Sequence, residues 1–209
     1  MYLKKLLVVF TMLVMTSFYA HAETNVVIKG EYTKVPGVQF NFDGKQVEII
    51  EFFSFYCGHC FEFEKSIPVI KGNFPKKTKW RHIPIYWGNG SPKPGEAYLL
   101  AKDEGKGEEM KQAIFKALFI DKKDIGNVDV LEELAVKVGL GFDFSHKLRT
   151  GAKAGKVGEA IIMTKTYRID ETPTLIIAGN LKTTPTMLEH NMNNLKDNTI
   201  TILKSLFNK

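Results

Sequence analysis

Residues 47–56 read Val-Glu-Ile-Ile-Glu-Phe-Phe-Ser-Phe-Tyr, a nearly continuous apolar run. Little polar alternation survives in it, so it predicts a central strand covered on both faces, running directly into Cys57. The period then changes. Cys60, Phe63, Ile67 and Ile70 recur at helical spacing and predict a helix that Pro68 kinks or interrupts. Residues 79–85 form a second short strand, closed by Trp87-Gly88-Asn89-Gly90. Upstream, residues 23–46 are mixed, with turn signals at Pro36-Gly37 and Asp43-Gly44.

From Pro94 to about Gly151 the pattern is helical, with segments at 96–101, 108–119 and 130–138 punctuated by glycines such as Gly105, Gly126 and Gly139. Residues 153–167 add a helix, and 174–178 return to strand before a turn at Gly179-Asn180. Residues 187–191 are followed by a C-terminal helix over 198–207, with Ile200, Leu203, Leu206 and Phe207 on its buried side. Strands therefore flank a helical block, the pattern of an α/β domain split by an inserted all-helical subdomain.

The first residues stand apart. Lys4 and Lys5 precede an apolar run over 6–20 that is short for a membrane span, and Ala20-His21-Ala22 is a small-x-small cleavage site. Residues 1–22 are thus expected to be a secretory signal, with residues 23–209 as the mature chain. The two signal lysines account for part of the formal net charge of +6, so the mature chain is only mildly basic. Its lysines are scattered, which argues against a nucleic-acid surface.

Compartment and cysteine count then act together. An exported disulfide scaffold would carry several spaced cysteine pairs, whereas this chain has two cysteines in Cys57-Gly58-His59-Cys60. A ring that small removes little chain entropy, so stabilisation is a poor reason for it and exchange a good one. Cys57 is placed at the helix N-terminus, where orphan N–H groups favour an anion and lower the thiol pKa. His59 is expected to favour the thiolate further. Cys60, one turn in, is expected to be buried and to act as the resolving sulfur. A zinc site would need two more ligands, and His82, His146 and His190 are not clustered in sequence. Haem attachment would need His at the position of Phe61. No metal, nucleotide or flavin cofactor is implied.

A second feature is Glu171-Thr172-Pro173-Thr174, leading into Leu175-Ile176-Ile177. Proline just ahead of a strand removes one ladder donor, and a cis proline beside the disulfide would expose backbone to a substrate peptide. Together, the run Glu51-Phe52-Phe53-Ser54-Phe55-Tyr56-Cys57-Gly58-His59-Cys60-Phe61-Glu62-Phe63-Glu64 and Thr172-Pro173-Thr174 resemble the DsbA-like thiol:disulfide oxidoreductases of the bacterial envelope. The resemblance covers most of the mature chain. It implies a thioredoxin-like fold with a helical insertion, divided as 23–90, 91–151 (the insertion) and 152–209. It also implies that Cys57 is the nucleophile, Cys60 its partner, Pro173 the cis proline, and Thr172 a contact for the bound chain. Glu51 and Glu64 match two acids that lie beneath the active site in that family. A third acidic position is Lys65 here, and Gly58-His59 replaces the Pro-His of the best-known members, which bears on oxidant strength. Glu51, in an otherwise apolar strand, is expected to be partly buried and to relay protons to Cys60; Glu64 reads almost equally as a solvated residue. Lys79 or Arg81 is the expected partner for one of them, with strand parity open.

Phe52, Phe53, Phe55, Tyr56, Phe61 and Phe63 read mostly as core, with one or two lining a groove for substrate. Trp87 and the loop through Gly90 read first as a packed loop and second as a border of that groove. The implied function is that of a monomeric periplasmic dithiol oxidase. It would donate the Cys57–Cys60 disulfide to cysteine pairs of newly exported proteins and be re-oxidised by a DsbB-type quinone-linked membrane oxidase. A reductase or isomerase on the same fold, a chaperone-like peptide-binding module and a metal carrier are the alternatives.

Overall fold

The computed structural model describes residues 27–88 and 90–207; the expected signal segment, 1–22, lies outside them. Its sheet is built around β2 (Val47–Phe53). On one side β2 pairs in parallel with β3 (Thr78–Pro84), on the other antiparallel with β4 (Thr174–Ile177). Beyond β4 come β5 (Leu181–Thr183) and β1 (Thr33–Lys34), giving the order β1-β5-β4-β2-β3. A strand hydrogen-bonded on both edges and covered on both faces has no place for alternation, which is why it reads as a solid apolar run.

The side chains of β2 nevertheless divide by parity. Ile50 and Phe52 enter a core with Ile83, Ile176 and Ala160, the last on α7 (Ala154–Tyr167). Val47 and Ile49 enter another with Phe63 of α1 (Gly58–Phe63), Ile67 and Ile70 of α2 (Ser66–Asn73), and the buried stripe of α8 (Met192–Phe207). That stripe is Met192, Leu195, Thr199, Ile202, Leu203 and Leu206, so α8 begins a turn and a half earlier than its apolar spacing predicted. Ile202 takes the fully buried place, while Ile200 and Phe207 are only partly covered. Each such aliphatic side chain contributes about 1.5–3 kcal/mol by leaving water.

Two further boundaries differ from expectation for identifiable reasons. The strand stops at Phe53 rather than Tyr56, because Ser54 closes a turn: its carbonyl accepts the Cys57 N–H at 3.1 Å and its hydroxyl accepts the Tyr56 N–H at 3.3 Å. Short polar side chains compete in this way with ladder bonding. The helix after the cysteines breaks at Glu64-Lys65, not at Pro68, which sits in the first turn of α2. A proline ring clashes with the carbonyl four residues back, and that residue is Glu64.

Between β3 and α7 lie α3 (Lys93–Asp103), α4 (Gly107–Phe119), α5 (Val128–Lys137) and α6 (Phe142–Arg149). Their shared core, with Tyr98, Met110, Ile114, Phe115, Leu131 and Phe144, takes in Phe53, Phe55 and Cys60 from the sheet side. The helical block therefore forms one wall around the second cysteine.

Segment 35–41 lies along the β4–β5 turn, where Asn41 N–H donates to Ala178 O at 2.8 Å. Gly179 stands there at φ +85°, and a Cβ on it would come within 2.5 Å of the Gln39 carbonyl oxygen. Gly179→Ala therefore combines left-handed backbone strain with a backbone clash, and a loss of roughly 1–3 kcal/mol is expected in urea unfolding. A variant as stable as the wild type would show that this packing against segment 35–41 is not maintained in solution.

Candidate active site

Antiparallel pairing sets Phe52 opposite Thr174. Continuing that register by two residues brings Thr172 to the end of β2, beside the turn that delivers Cys57. The Thr172–Pro173 peptide bond is cis. Cys57 caps α1 with extended backbone, φ −99° and ψ 117°. Its Sγ accepts the Cys60 N–H at 3.3 Å, and its thiol donates to the Thr172 carbonyl oxygen at 3.1 Å. Both cysteines are free thiols.

The two sulfurs are held unlike one another. Cys57 is partly exposed, while Cys60 is fully buried. A hydrogen bond from the Cys60 thiol, then the Thr172 side chain and the N–H groups of Cys60 and His59, outweigh partial burial and lower the Cys57 pKa to about 6. Burial drives Cys60 the opposite way, well above an ordinary thiol, and the neighbouring Cys57 and Glu51 add to the rise. His59 acts on Cys57 through its backbone N–H; its exposed ring lies over that of His190, with centroids 6.0 Å apart. Gly58 is the first helical residue, and a Cβ on it would meet only Phe119, at 3.8 Å. With the preceding residue extended, the position fits proline as readily as glycine.

A cleft of about 390 Å³ runs beside Cys57, lined by Ser54, Tyr56, Trp87, Gly90 and Thr172. The loop through Trp87 thus borders the cleft, and Trp87 itself is 44% exposed. Tyr56 is the member of the aromatic run that reaches this cleft. On the other side of the motif, Phe61 stacks on Phe119 at 5.1 Å. Phe52, Phe53, Phe55 and Phe63 are core.

Beneath Cys60 lies a buried ionic cluster. Glu51 and Glu64 are both buried, not solvated. Lys111 of α4, itself fully buried, reaches Glu51 Oε2 at 3.1 Å and Glu64 Oε1 at 2.5 Å, and its ammonium sits 4.4 Å over the Phe53 ring. Strand register sets His82 opposite Glu51, and His82 Nδ1 is hydrogen-bonded to Glu51 Oε2. Gln112 Nε2 donates to Glu64 Oε2 at 2.7 Å. Burial opposes ionisation of Glu51, but Lys111 and His82 outweigh it and hold that carboxyl well below its usual range. Burial and the Glu51 charge outweigh Lys111 at Glu64 and raise it to about 7. One ammonium between two carboxylates leaves a surplus negative charge, and Glu64 is where a proton relieves it.

Neither Lys79 nor Arg81 is the partner of these acids. Arg81 pairs with Glu48 at the surface, 3.7 Å away. The residues that do meet Glu51, Lys111 and His82, were not singled out as its partners in the sequence. Lys111 left a trace: it lies four residues after Gly107 and three and four before Ile114 and Phe115, on the apolar face of α4. His82 left none, because its pairing depends on sheet register.

A cis proline at the head of β4, set against a CxxC whose outer sulfur is acidic and inner sulfur buried, defines a thiol:disulfide oxidoreductase of the thioredoxin class. Residues 48–197 match the DSBA-like thioredoxin domain, and the chain belongs to that family. It is 26% identical over 151 residues to the thiol:disulfide interchange protein DsbA of Azotobacter vinelandii, covering 72% of this chain and 69% of that one. The protein of the same name from Haemophilus influenzae is 25% identical, over 70% of this chain and 73% of its own. The crystal structure of the oxidoreductase DsbA from Xylella fastidiosa superposes with a TM-score of 0.68 at 23% identity, over 85% of this chain and 94% of that one.

Two outcomes follow from this geometry. Lys111→Met leaves two buried carboxylates without their ammonium, and a loss of about 3–5 kcal/mol is expected in urea unfolding at neutral pH. A loss below about 1 kcal/mol, the range of a surface pair, would mean that water enters the cluster. For Cys57, the ultraviolet thiolate absorbance of reduced protein should titrate with a midpoint near about 6. Because the folded pKa is depressed from 9.0 to about 6, the reduced native state binds fewer protons than the unfolded chain within that window. Its stabilisation is complete above the upper limit and lost as pH falls through the lower one. The stability of reduced wild type should therefore rise with pH across the window relative to Cys57→Ser; parallel curves would contradict the assigned thiolate.

Proposed function

We propose that the protein is a monomeric, periplasmic dithiol oxidase that transfers its Cys57–Cys60 disulfide to cysteine pairs of newly exported proteins. The observation that carries this reading is the asymmetry of the two sulfurs: Cys57 partly exposed beside a cleft with a pKa lowered to about 6, and Cys60 buried with its pKa raised. A substrate thiolate attacks the accessible Cys57 Sγ, and Cys60 leaves. A second substrate thiolate then attacks the substrate sulfur of the mixed disulfide, and Cys57 departs as a stable thiolate. A low leaving-group pKa speeds that release and stabilises the reduced enzyme, which makes the disulfide the stronger oxidant.

In this reading Thr172 and Pro173 offer backbone to the bound chain, and the apolar cleft takes side chains next to the substrate cysteine. Glu51 and Glu64 tune Cys60 and relay the proton its thiolate takes up. His59 and Gly58 set the poise through the short ring. The signal-like residues 1–22 support export, and a DsbB-type quinone-linked membrane oxidase returns the enzyme to its disulfide form.

The reduction potential tests the direction of electron flow. Equilibration against glutathione, scored by thiol alkylation, should give a value between about −180 and −120 mV, the range of disulfide donors. A value near about −270 mV would place the protein among thioredoxin-like reductases and overturn the donor role.

A further inference from the structure

Lysines that are scattered along the chain are gathered by its topology at one end of the molecule, the end of the sheet away from Cys57. Strand β2 starts there, and pairing sets Val47 opposite Thr78 and Glu48 opposite Lys79. The loops that lead into β2 and β3 lie side by side. Gln46 Nε2 donates to the Lys76 carbonyl oxygen at 3.1 Å, and the Val47 N–H donates to that of Lys77 at 2.9 Å. Lys45, Lys76, Lys77 and Lys79 are all exposed here. Helices α2 and α8 end at the same place, with Lys71 and Lys204 in their last turns. Lys77 Nζ lies 4.9 Å over the ring of Phe207, which packs on Phe74 and Phe42 with centroids 5.8 and 5.2 Å away. Among the described residues none of these lysines has an ion-pair partner, whereas Lys106, Lys116, Lys123, Lys137 and Lys147 of the helical insertion are all paired. The acids at this end are Asp43, whose Oδ1 accepts the N–H groups of Lys45 and Gln46, and Glu48, which is paired with Arg81.

Lys71 and Lys204 complement the negative ends of their helices, but Lys45, Lys76, Lys77 and Lys79 have no such duty. Like charges held together repel, and here the fold supplies almost no counter-charge. We propose that this end of the molecule docks on an anionic lipid surface, whose phosphates are the missing counter-charges. Three features favour a membrane over a polynucleotide or an acidic protein. The unpaired cations are all lysines, flexible point charges that suit a diffuse array of phosphates; planar, bidentate recognition would call for arginine. They stand at loop tips and helix ends, a surface that meets a flat layer of headgroups, whereas single strands are tracked along grooves. An aromatic ring, Phe207, lies directly beneath the Lys77 ammonium, so cationic and apolar groups face the lipid together. Among the described residues no helix is long and apolar enough to cross a membrane, so the contact is peripheral. Strand β2 leads away from the patch for seven residues, about 20 Å, before the turn that delivers Cys57. A docked molecule therefore holds its cleft clear of the lipid and open to chains beside the membrane. Contacts of this kind are reversible, so the protein also leaves the surface.

The test is flotation of the mature chain, residues 23–209, with lipid vesicles. It should bind vesicles of phosphatidylglycerol and phosphatidylcholine in equal parts and not those of phosphatidylcholine alone. Salt at about 1 M, which shortens the Debye length to about 3 Å, should release it. Lys45→Gln, Lys76→Gln and Lys79→Gln together should weaken binding by about a hundredfold, near fivefold for each charge. That variant should keep the wild-type unfolding midpoint in urea. Arginine at the same positions should bind as wild type does, which separates charge from side-chain packing. Lys116→Gln, Lys137→Gln and Lys147→Gln together remove the same charge from the helical insertion and should leave binding almost unchanged. Equal losses in the patch and insertion variants would mean that net charge alone draws the protein to lipid, and would overturn the docking end. So would wild type that floats with neither vesicle, or equally with both. If such a protein retarded a single-stranded oligonucleotide, the patch would belong to a polynucleotide instead.

Discussion

One ammonium, that of Lys111, holds the active-site region to the rest of the molecule. It is carried in from the helical block and ends between Glu51 of the central strand and Glu64 at the end of the cysteine helix. Burying an ammonium between two acids is costly, and such clusters persist where each member has a partner. The same helix sends Met110 and Phe115 into the core that takes in Phe53 and Cys60, and the inner sulfur is fully buried there. The insertion is therefore part of the redox centre.

The centre works by contrast between two sulfurs of the same chemical kind. Position on the helix supplies part of it: Cys57 receives N–H groups from the residues that follow, and Cys60 is one turn deeper. Tertiary packing supplies the rest, through burial of Cys60 and the negative charge of Glu51 below it. The cis Thr172–Pro173 bond completes the arrangement from a distant part of the chain, because the β2–β4 register ends there. The cleft borders Cys57, and the charge of the acid cluster is felt at Cys60.

Much of this was legible in the chain. The solid apolar run announced β2, helical spacing announced most of the helices, and the CxxC beside Thr172-Pro173 announced the chemistry. The errors were local competitions that patterns of hydrophobicity do not register. Ser54 ended the strand by bonding its own turn, Pro68 broke the helix at the carbonyl four residues earlier, and Ile202 took the buried place on α8. A partner for Glu51 or Glu64 was sought on the neighbouring strand at Lys79 or Arg81; the strand supplied His82 to Glu51, and a helix supplied Lys111 to both acids.

Which residues are candidates for the reaction is thus a property of the sequence, because sulfur exchange needs two cysteines at short spacing and the chain has one such pair. The α/β order and the helical insertion are equally sequence properties, since period and turn residues are local. Tertiary structure alone decided how the reaction is supported: which cation neutralises the buried acids, which histidine faces Glu51, and which loop borders the cleft. Those contacts join residues far apart in the chain through strand register and helix packing, and a one-residue shift in register would have turned a different side chain toward Glu51.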